Sequence, residues 1–182
     1  MTLAACVLLP ACSDSPGGPD VGIPKRGVTP VRDTTALLQT GALRYTLRSG
    51  PYGYSGIVDV RFTNRTGATV YVVNCNGATA LHLEKRIGDH WIPVWSPVLP
   101  ACLSAPITVP PGGTHEAAIL VFGGYPGGNA EPRFTVTEIP GSYRLVWDAV
   151  LSSYREDRSP FGERVGREHR VSNPFILEVE PR

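Results

Sequence analysis

The histidines are the side chains best suited to acid–base or metal chemistry near neutral pH. None of the four stands at a His-x-His or His-x-x-x-His spacing, which would put two imidazoles on one face of a strand or helix. We therefore expect no metal and no cofactor, although distant ligands can converge in a fold. The four are His82, His90, His115 and His169.

The sequence also lacks a clear motif for a catalytic nucleophile or for a pair of catalytic acids. The chain has no Gly-x-Ser-x-Gly elbow, and both Ser96 and Ser104 lie in turn contexts. A hydrolase that uses two carboxylates needs both in one cleft, whereas the acids inside strand patterns are more simply interpreted as solvent-facing or edge residues. These acids are Asp59, Glu84, Glu116 and Asp148. The sequence predicts a protein that is not an enzyme.

Aromatic residues in loops are the better sign of function, because exposed aromatics contribute contact energy to recognition surfaces. The alternative is that they cap the ends of the domain. The connection 152–170 is longer than a hairpin needs, and its five arginines could bind acidic groups or pair with the four acids beside them. The candidate binding residues are Tyr52, Tyr54, Tyr125, Asn129, Tyr154, Arg158 and Phe161.

Composition limits the classes of partner and of fold. The 182 residues fit one domain with appendages, and the 42% that are hydrophobic can build a core. The net charge of +1 and the lack of long runs of one sign argue against nucleic acid as a partner. The 20 glycines and 18 prolines lie between apolar runs, a pattern typical of many short strands joined by turns.

The N-terminal residues predict where in the cell the protein is located. Residues 1–12, MTLAACVLLPAC, are apolar or neutral and precede the polar stretch SDSPGGPD, which is typical of an export signal. The Leu-Pro-Ala-Cys of residues 9–12 resembles the lipobox of bacterial lipoproteins, in which the cysteine receives the lipid. The resemblance implies lipidation at Cys12 and anchoring in the cell envelope, and Ser13 implies the outer membrane in a cell with two membranes. Because no Lys or Arg precedes Cys12, we expect further residues upstream of Met1.

The predicted export signal also guides the interpretation of the remaining cysteines. If Cys6 is cleaved away and Cys12 is lipidated, Cys75 and Cys102 remain as one pair, and an exported compartment allows a disulfide between them. Such a loop stabilises the fold by about 3–4 kcal/mol in the chain-entropy model. We expect Trp91 or Trp95 to pack near the bridge. Residues 13–33, with four prolines and four glycines, are interpreted as a flexible tether.

Beyond the tether, alternating apolar and polar residues predict seven to nine strands and no helix. We expect Val58, Val60 and Phe62 to face the core, residues 114–122 to be a buried strand and residues 142–151 to be the longest strand. Pro93 cannot donate to a sheet, so its strand belongs at an edge or a bend. The predicted strands are 43–48, 57–63, 69–73, 81–87, 91–95, 114–122, 134–139, 142–151 and 171–180, with turns at 76–77, 88–89 and 111–113.

Two stretches resemble known families. Residues 139–149, IPGSYRLVWDA, look like the corner before strand F of immunoglobulin-like domains, and VSNPFILEVE at 171–180 looks like the last strand of bacterial immunoglobulin-like lipoprotein domains. The resemblance implies an all-β fold, one immunoglobulin-like antiparallel sandwich over 34–182, with Tyr143 as a corner tyrosine whose hydroxyl bonds to the backbone. Residues 57–122 also resemble the layout of the bacterial intracellular proteinase inhibitor family.

These observations predict a lipid-anchored envelope protein that acts as a non-catalytic binding or structural accessory module. Its contacts would be the membrane, through the lipid, and an envelope protein or glycan. The first alternative is a proteinase inhibitor that uses residues 122–129 as a substrate mimic around Tyr125. The second is an envelope hydrolase with an unrecognised site, which would show a cleft with convergent histidine and carboxylate groups.

Overall fold

The computed structural model describes residues 36–101, 104–155, 157 and 162–180. The predicted signal, the predicted lipidation site Cys12 and the predicted tether lie outside these residues, as do Cys102, Arg158 and Phe161. The described part is mostly β, as predicted. Its strands are β1 (Leu38–Thr40), β2 (Arg44–Ser49), β3 (Gly53–Thr63), β4 (Val70–Val72), β5 (Leu81–Ile87), β6 (His90–Trp95), β7 (Ile107–Val109), β8 (Thr114–Gly124), β9 (Gly141–Trp147), β10 (Val150–Leu151) and β11 (Phe175–Val179), with one helix, α1 (Arg167–Arg170).

The strands form two open sheets. The larger one has the order β1-β3-β2-β11-β9-β5-β6, with β8 paired to β3, and the smaller one has the order β10-β4-β7. Strand β3 pairs with β8 along eleven residues and uses its other edge for β1 and the end of β2. The predicted purely antiparallel arrangement was wrong in one place: β2 pairs with β11 in parallel, whereas the other pairs among these eleven strands are antiparallel.

Gly56 lets β2 and β3 approach each other closely. A Cβ atom at this position would lie 2.7 Å from Leu47 Cδ2 and 3.0 Å from the carbonyl oxygen of Thr46. A larger residue would force the Leu47 side chain and the backbone at Thr46 to shift, so glycine favours this close approach. The close approach allows β2 to end against β3 while its first residues pair with β11.

The core forms where the apolar residues on the inward faces of the strands meet. Val58, Val60 and Phe62 of β3 are buried, as predicted, and burying such a side chain contributes about 1.5–3 kcal/mol. Trp147 of β9 and Phe175 of β11 join the same cluster. The apolar period of two along β3 therefore predicts which of its faces turns inward.

The predicted turns are confirmed, and so is the edge position of Pro93 in β6. Asn76 and Gly77 have φ angles of 48° and 86°, and reciprocal backbone hydrogen bonds of 2.8 and 2.9 Å close the turn between Cys75 and Ala78. Asn-Gly is the preferred pair for such turns because both residues must adopt positive φ. Gly113 N donates to Pro110 O over 2.8 Å in the turn at 111–113.

Four strand predictions were wrong in part. Residues 134–139 form no strand: Phe134 and Ile139 anchor the segment through buried side chains, and a backbone bond of 2.9 Å, from Thr135 N to Val94 O, ties it to β6. Strand β8 is not buried, since it lies at an edge and leaves one face, including Leu120 and Phe122, exposed.

Residues 142–151 divide into β9 and β10 at a turn, and β10 joins the other sheet; the longest strands are β3 and β8, with 11 residues each. The last strand begins only at Phe175, and the unpredicted helix α1 precedes it. That helix spans only four residues, and no helix in the described part of the chain is long and apolar enough to cross a membrane.

Candidate functional site

An open cleft of about 610 Å³ lies in the described part of the chain. It lies where four segments meet: the start of β5, the residues after β6, the turn between β9 and β10, and the end of the long connection around α1. Polar and charged groups dominate its lining, and the apolar Pro97 and Leu99 also line it. The polar lining residues are His82, Ser96, Asp148, Arg164, Arg167 and Arg170.

The second half of the connection 152–170 is fastened to the sheets, which places its arginines over the cleft. Val165 N donates to Val150 O over 3.1 Å, and Ser172 N donates to Leu145 O over 2.8 Å. Leu145 N in turn donates to Ser172 Oγ over 2.9 Å. These bonds hold α1 against β9, so the side chains of the helix reach β5 across the outer face of the sheet.

His82 lies between two carboxylates. Its Nδ1 is 2.6 Å from Asp148 Oδ2, and its Nε2 is 3.3 Å from Glu84 Oε1. The hydrogen bond to Asp148 is the main reason that the pKa of His82 is raised above its ordinary value, against the opposing effect of burial. Both ring nitrogens therefore face acceptors, which favours the imidazolium form, in which both donate.

Glu84 is buried, so the prediction that it faces solvent was wrong. Its place on the outer face of β5 suggested a solvent-facing acid, but the residue is only 3% exposed. Arg144 Nε lies 2.6 Å from one carboxylate oxygen and Arg167 Nη2 lies 2.5 Å from the other, and the two guanidinium groups screen it from water. Burial raises the pKa of Glu84, but the hydrogen bonds and charges of Arg144 and Arg167 outweigh this and lower the pKa below its ordinary value.

Asp148 is held from a second side by Arg170. Arg170 Nη1 lies 3.0 Å from Asp148 Oδ1, while Arg170 Nε donates to Val165 O over 2.7 Å. The side chain of Arg170 is only 9% exposed. Burial raises the pKa of Asp148, but its contacts with His82 and Arg170 lower it below the ordinary value. The turn between β9 and β10 thereby links β5 to the long connection.

The arrangement does not suit a metal ion. Among the described residues, no group of three or more histidine, cysteine, aspartate or glutamate side chains is placed to hold one. The carboxylates of the cleft already face arginines and His82, and these cations occupy the directions from which a metal would approach. What the cleft can do is attract anions, because its arginines outnumber its carboxylates.

The two tryptophans predicted to lie near a disulfide have different environments. Trp95 is buried, its Nε1 donates to Phe122 O over 2.8 Å, and its ring stacks on Phe134. The guanidinium group of Arg144 lies 4.6 Å from the ring centre of Trp91, a cation–π contact that adds to the charge cluster. Cys102 lies outside the described residues, so the predicted bridge and the packing of a tryptophan against it stay predictions.

Tyr143 lies at the start of β9 and is fully buried. Its hydroxyl donates a hydrogen bond of 2.6 Å to the carbonyl oxygen of Ile139, four residues earlier. Burial raises the pKa of Tyr143, so the phenol stays protonated and able to donate at any physiological pH. This is the backbone contact that the sequence led us to expect of a corner tyrosine.

The aromatic residues predicted to lie in loops do not gather in the cleft, and Tyr54 belongs to β3 rather than to a loop. Tyr54 and Tyr125 meet edge to face at 4.9 Å, and the hydroxyl of Tyr125 donates to Gly50 O. Tyr154 stacks on Tyr71, whereas Tyr52 is 85% exposed. Asn129 is exposed. None of these five candidate residues lines the cleft.

Sequence reasoning missed the cluster itself. It listed His82, Glu84 and Asp148 separately and left open whether the arginines of 152–170 bind acidic groups or pair with acids in the same connection. The structure instead joins Arg167 to Glu84, 83 positions away, and Arg170 to Asp148, 22 positions away. The feature of the sequence that could have indicated this cluster was the number of arginines in a connection that is too long for a hairpin.

Comparison with models of protein families and with curated proteins found no match to the chain.

Proposed function

We propose that this chain is a lipid-anchored protein of the bacterial cell envelope, in which one immunoglobulin-like β-sandwich acts as a non-catalytic binding module. The binding site in this proposal is the charged cleft. The observation that carries it is the position of His82, because both of its ring nitrogens face carboxylates while the arginines around it keep donors for a ligand.

The same position argues against hydrolysis. In a Ser-His-Asp site, one imidazole nitrogen bonds to the acid and the other accepts the proton of the nucleophile. Here His82 and Asp148 reproduce the first contact, but Nε2 faces Glu84 rather than a hydroxyl. Ser96 lines the cleft, yet no hydrogen bond joins it to His82 within the described residues. An imidazolium with both nitrogens engaged has no lone pair to act as a general base.

The sandwich assignment rests on the two sheets and on Tyr143. A corner tyrosine that bonds back to the backbone at the start of strand F is a hallmark of immunoglobulin-like domains, and Tyr143 makes such a bond to Ile139 at the start of β9. Support for the disulfide comes from the burial of Cys75, whose side chain is only 5% exposed. The anchor is inferred from the lipobox-like residues 9–12 alone.

Site-specific crosslinking in intact cells tests the function. A photoreactive phenylalanine analogue replaces Ser96 in the cleft or, as a control, Ile57, which is 56% exposed on β3 and does not line the cleft. We expect a recurrent captured species from position 96 that is absent from position 57 and is lost when Arg164→Glu is added.

Two results would contradict the proposal. One is equal capture from both positions, which would show that the cleft is not the binding surface. The other is turnover of an ester, peptide or glycoside substrate by the purified chain that His82→Gln abolishes, since this would identify an enzyme.

A further inference from the structure

Three of the five arginines in the long connection, Arg164, Arg167 and Arg170, line the cleft, and each keeps hydrogen-bond donors that the described part of the protein does not use. The exposed guanidinium group of Arg164 has no ion pair or hydrogen bond with any described residue. Arg167 contributes only one nitrogen to Glu84. Arg170 uses Nε and Nη1, and its Nη2 has no partner among the described residues although the side chain is nine-tenths buried.

Charge around the cleft is unbalanced, in contrast to the rest of the surface. Arg144 and the three lining arginines face only Glu84 and Asp148, which leaves a net charge of +2 before His82 is counted. Elsewhere, exposed arginines pair with single carboxylates, as in Arg44–Glu178, Arg48–Glu180, Arg61–Glu116, Arg86–Asp89 and Arg133–Glu131. A concave surface with surplus positive charge concentrates anions.

We propose that the cleft binds a phosphate group as the dianion of a phosphomonoester, held by Arg164, Arg167 and Arg170. The inference rests on the proposed function, since it names the ligand class of that same site. A terminal phosphate presents three acceptor oxygens and two negative charges, which match three guanidinium groups and the surplus charge. A carboxylate offers two oxygens and one charge and satisfies only one guanidinium fork.

The remaining lining fits the rest of such an ester. Pro97 and Leu99 present apolar surface in the same cleft, and the volume of about 610 Å³ exceeds what a phosphate ion alone would fill. Small-molecule sites are typically clefts of about 300–1,000 Å³ in which apolar walls surround a few placed polar groups. Ser96 adds a hydroxyl donor to the arginines at this site.

Isothermal titration calorimetry of the full chain tests the proposal, with glycerol 3-phosphate, inorganic phosphate and acetate as probes at constant ionic strength. We expect glycerol 3-phosphate to bind at least about tenfold more tightly than acetate. Arg164→Gln should weaken the binding of glycerol 3-phosphate about tenfold, and this variant should fold normally because its side chain is exposed and makes no described contact. Arg48→Gln is the matched control, since Arg48 is 81% exposed outside the cleft, and it should leave the affinity unchanged.

The outcomes separate this inference from the function on which it rests. Equal affinity for glycerol 3-phosphate and acetate, or equal weakening by Arg48→Gln and Arg164→Gln, overturns the phosphate assignment. If the crosslinker at position 96 still captures a species, and Arg164→Glu abolishes this capture, the proposed binding function stands even though the phosphate assignment fails. Release of inorganic phosphate from glycerol 3-phosphate overturns the non-catalytic function instead.

Two further arms identify where the phosphate comes from. Binding to free glycerol 3-phosphate supports a soluble ester as the source. Retention on vesicles that contain phosphatidate, but not on vesicles of phosphatidylcholine alone, supports a lipid headgroup carrying the same phosphomonoester.

Discussion

His82 Nδ1 lies 2.6 Å from Asp148 Oδ2, and this contact joins strand β5 to the turn between β9 and β10. The two residues are 66 positions apart in the chain. Through Asp148 the contact extends to Arg170, and through His82 it extends to Glu84. Asp148 thus links β5, through His82, to the long connection that lines the cleft, through Arg170.

Stability should depend on pH through His82. Because the pKa of His82 is raised in the folded protein, its contribution to the free energy of unfolding is complete below its ordinary value of 6.5 and is lost as the pH rises through the folded value. The pKa values of Asp148 and Glu84 are lowered, so their contributions are present above about pH 5 and are lost as the pH falls. We expect His82→Gln to cost about 1–3 kcal/mol near pH 6 and less near pH 9.

Urea denaturation across this pH range measures the difference between wild type and variant. His90→Gln is the control, because His90 is exposed outside the cluster, and it should change stability little at any pH. A cost of His82→Gln that does not vary with pH would contradict the assignment.

Removing the buried carboxylate of Glu84 should lower the free energy of unfolding. Glu84→Gln leaves Arg144 and Arg167 without a counter-charge, and breaking a fully buried pair costs about 3–5 kcal/mol. Because these arginine side chains are 23% and 49% exposed, we expect a smaller loss of about 1–3 kcal/mol. Glu116→Gln makes the same chemical change at an exposed pair with Arg61 and should cost under about 1 kcal/mol. Equal shifts of the two denaturation midpoints would refute the structural role of Glu84.

The corner bond of Tyr143 should be measurable by removing one oxygen. Tyr143→Phe leaves the buried carbonyl of Ile139 without its partner, and we expect a loss of about 1–3 kcal/mol in thermal or urea unfolding. Tyr125→Phe is the matched control, since its hydroxyl bond to Gly50 is exposed, and it should cost less. An unchanged midpoint for Tyr143→Phe would show that the bond does not stabilise this corner.

Non-reducing mass spectrometry of the exported protein should detect a peptide pair linked through Cys75 and Cys102. Reduction should then lower the stability by about 3–4 kcal/mol, because the unfolded chain regains the freedom of the closed loop. Recovery of both cysteines as free thiols in exported protein would disprove the bridge.

Lipid anchoring predicts that Cys12→Ala moves the protein from the membrane fraction to the soluble fraction of lysed cells. Cys6→Ala should leave it in the membrane fraction, since only Cys12 is proposed to carry the lipid. If the Cys12 variant stays with the membrane, the anchor is not the lipid at this residue.

Local chemistry was enough to predict several features. The period-two pattern of β3 predicts its buried face, Asn76-Gly77 predicts a positive-φ turn, and Pro93 predicts an edge strand, because each depends on neighbours in the chain. The same reasoning predicts an all-β class from many short apolar runs punctuated by glycine and proline.

Tertiary structure decided the rest. The parallel pairing of β2 with β11, the division of 142–151 between two sheets and the burial of Glu84 all depend on segments far apart in sequence. A carboxylate on the outer face of a strand is solvated or buried according to what covers it, and here Arg144 and Arg167 cover Glu84. The amino-acid sequence by itself therefore determined the turns, the charges and most of the strands, whereas only the packing of the 162–173 segment on β9 decided that His82, Asp148 and the arginines share one cleft.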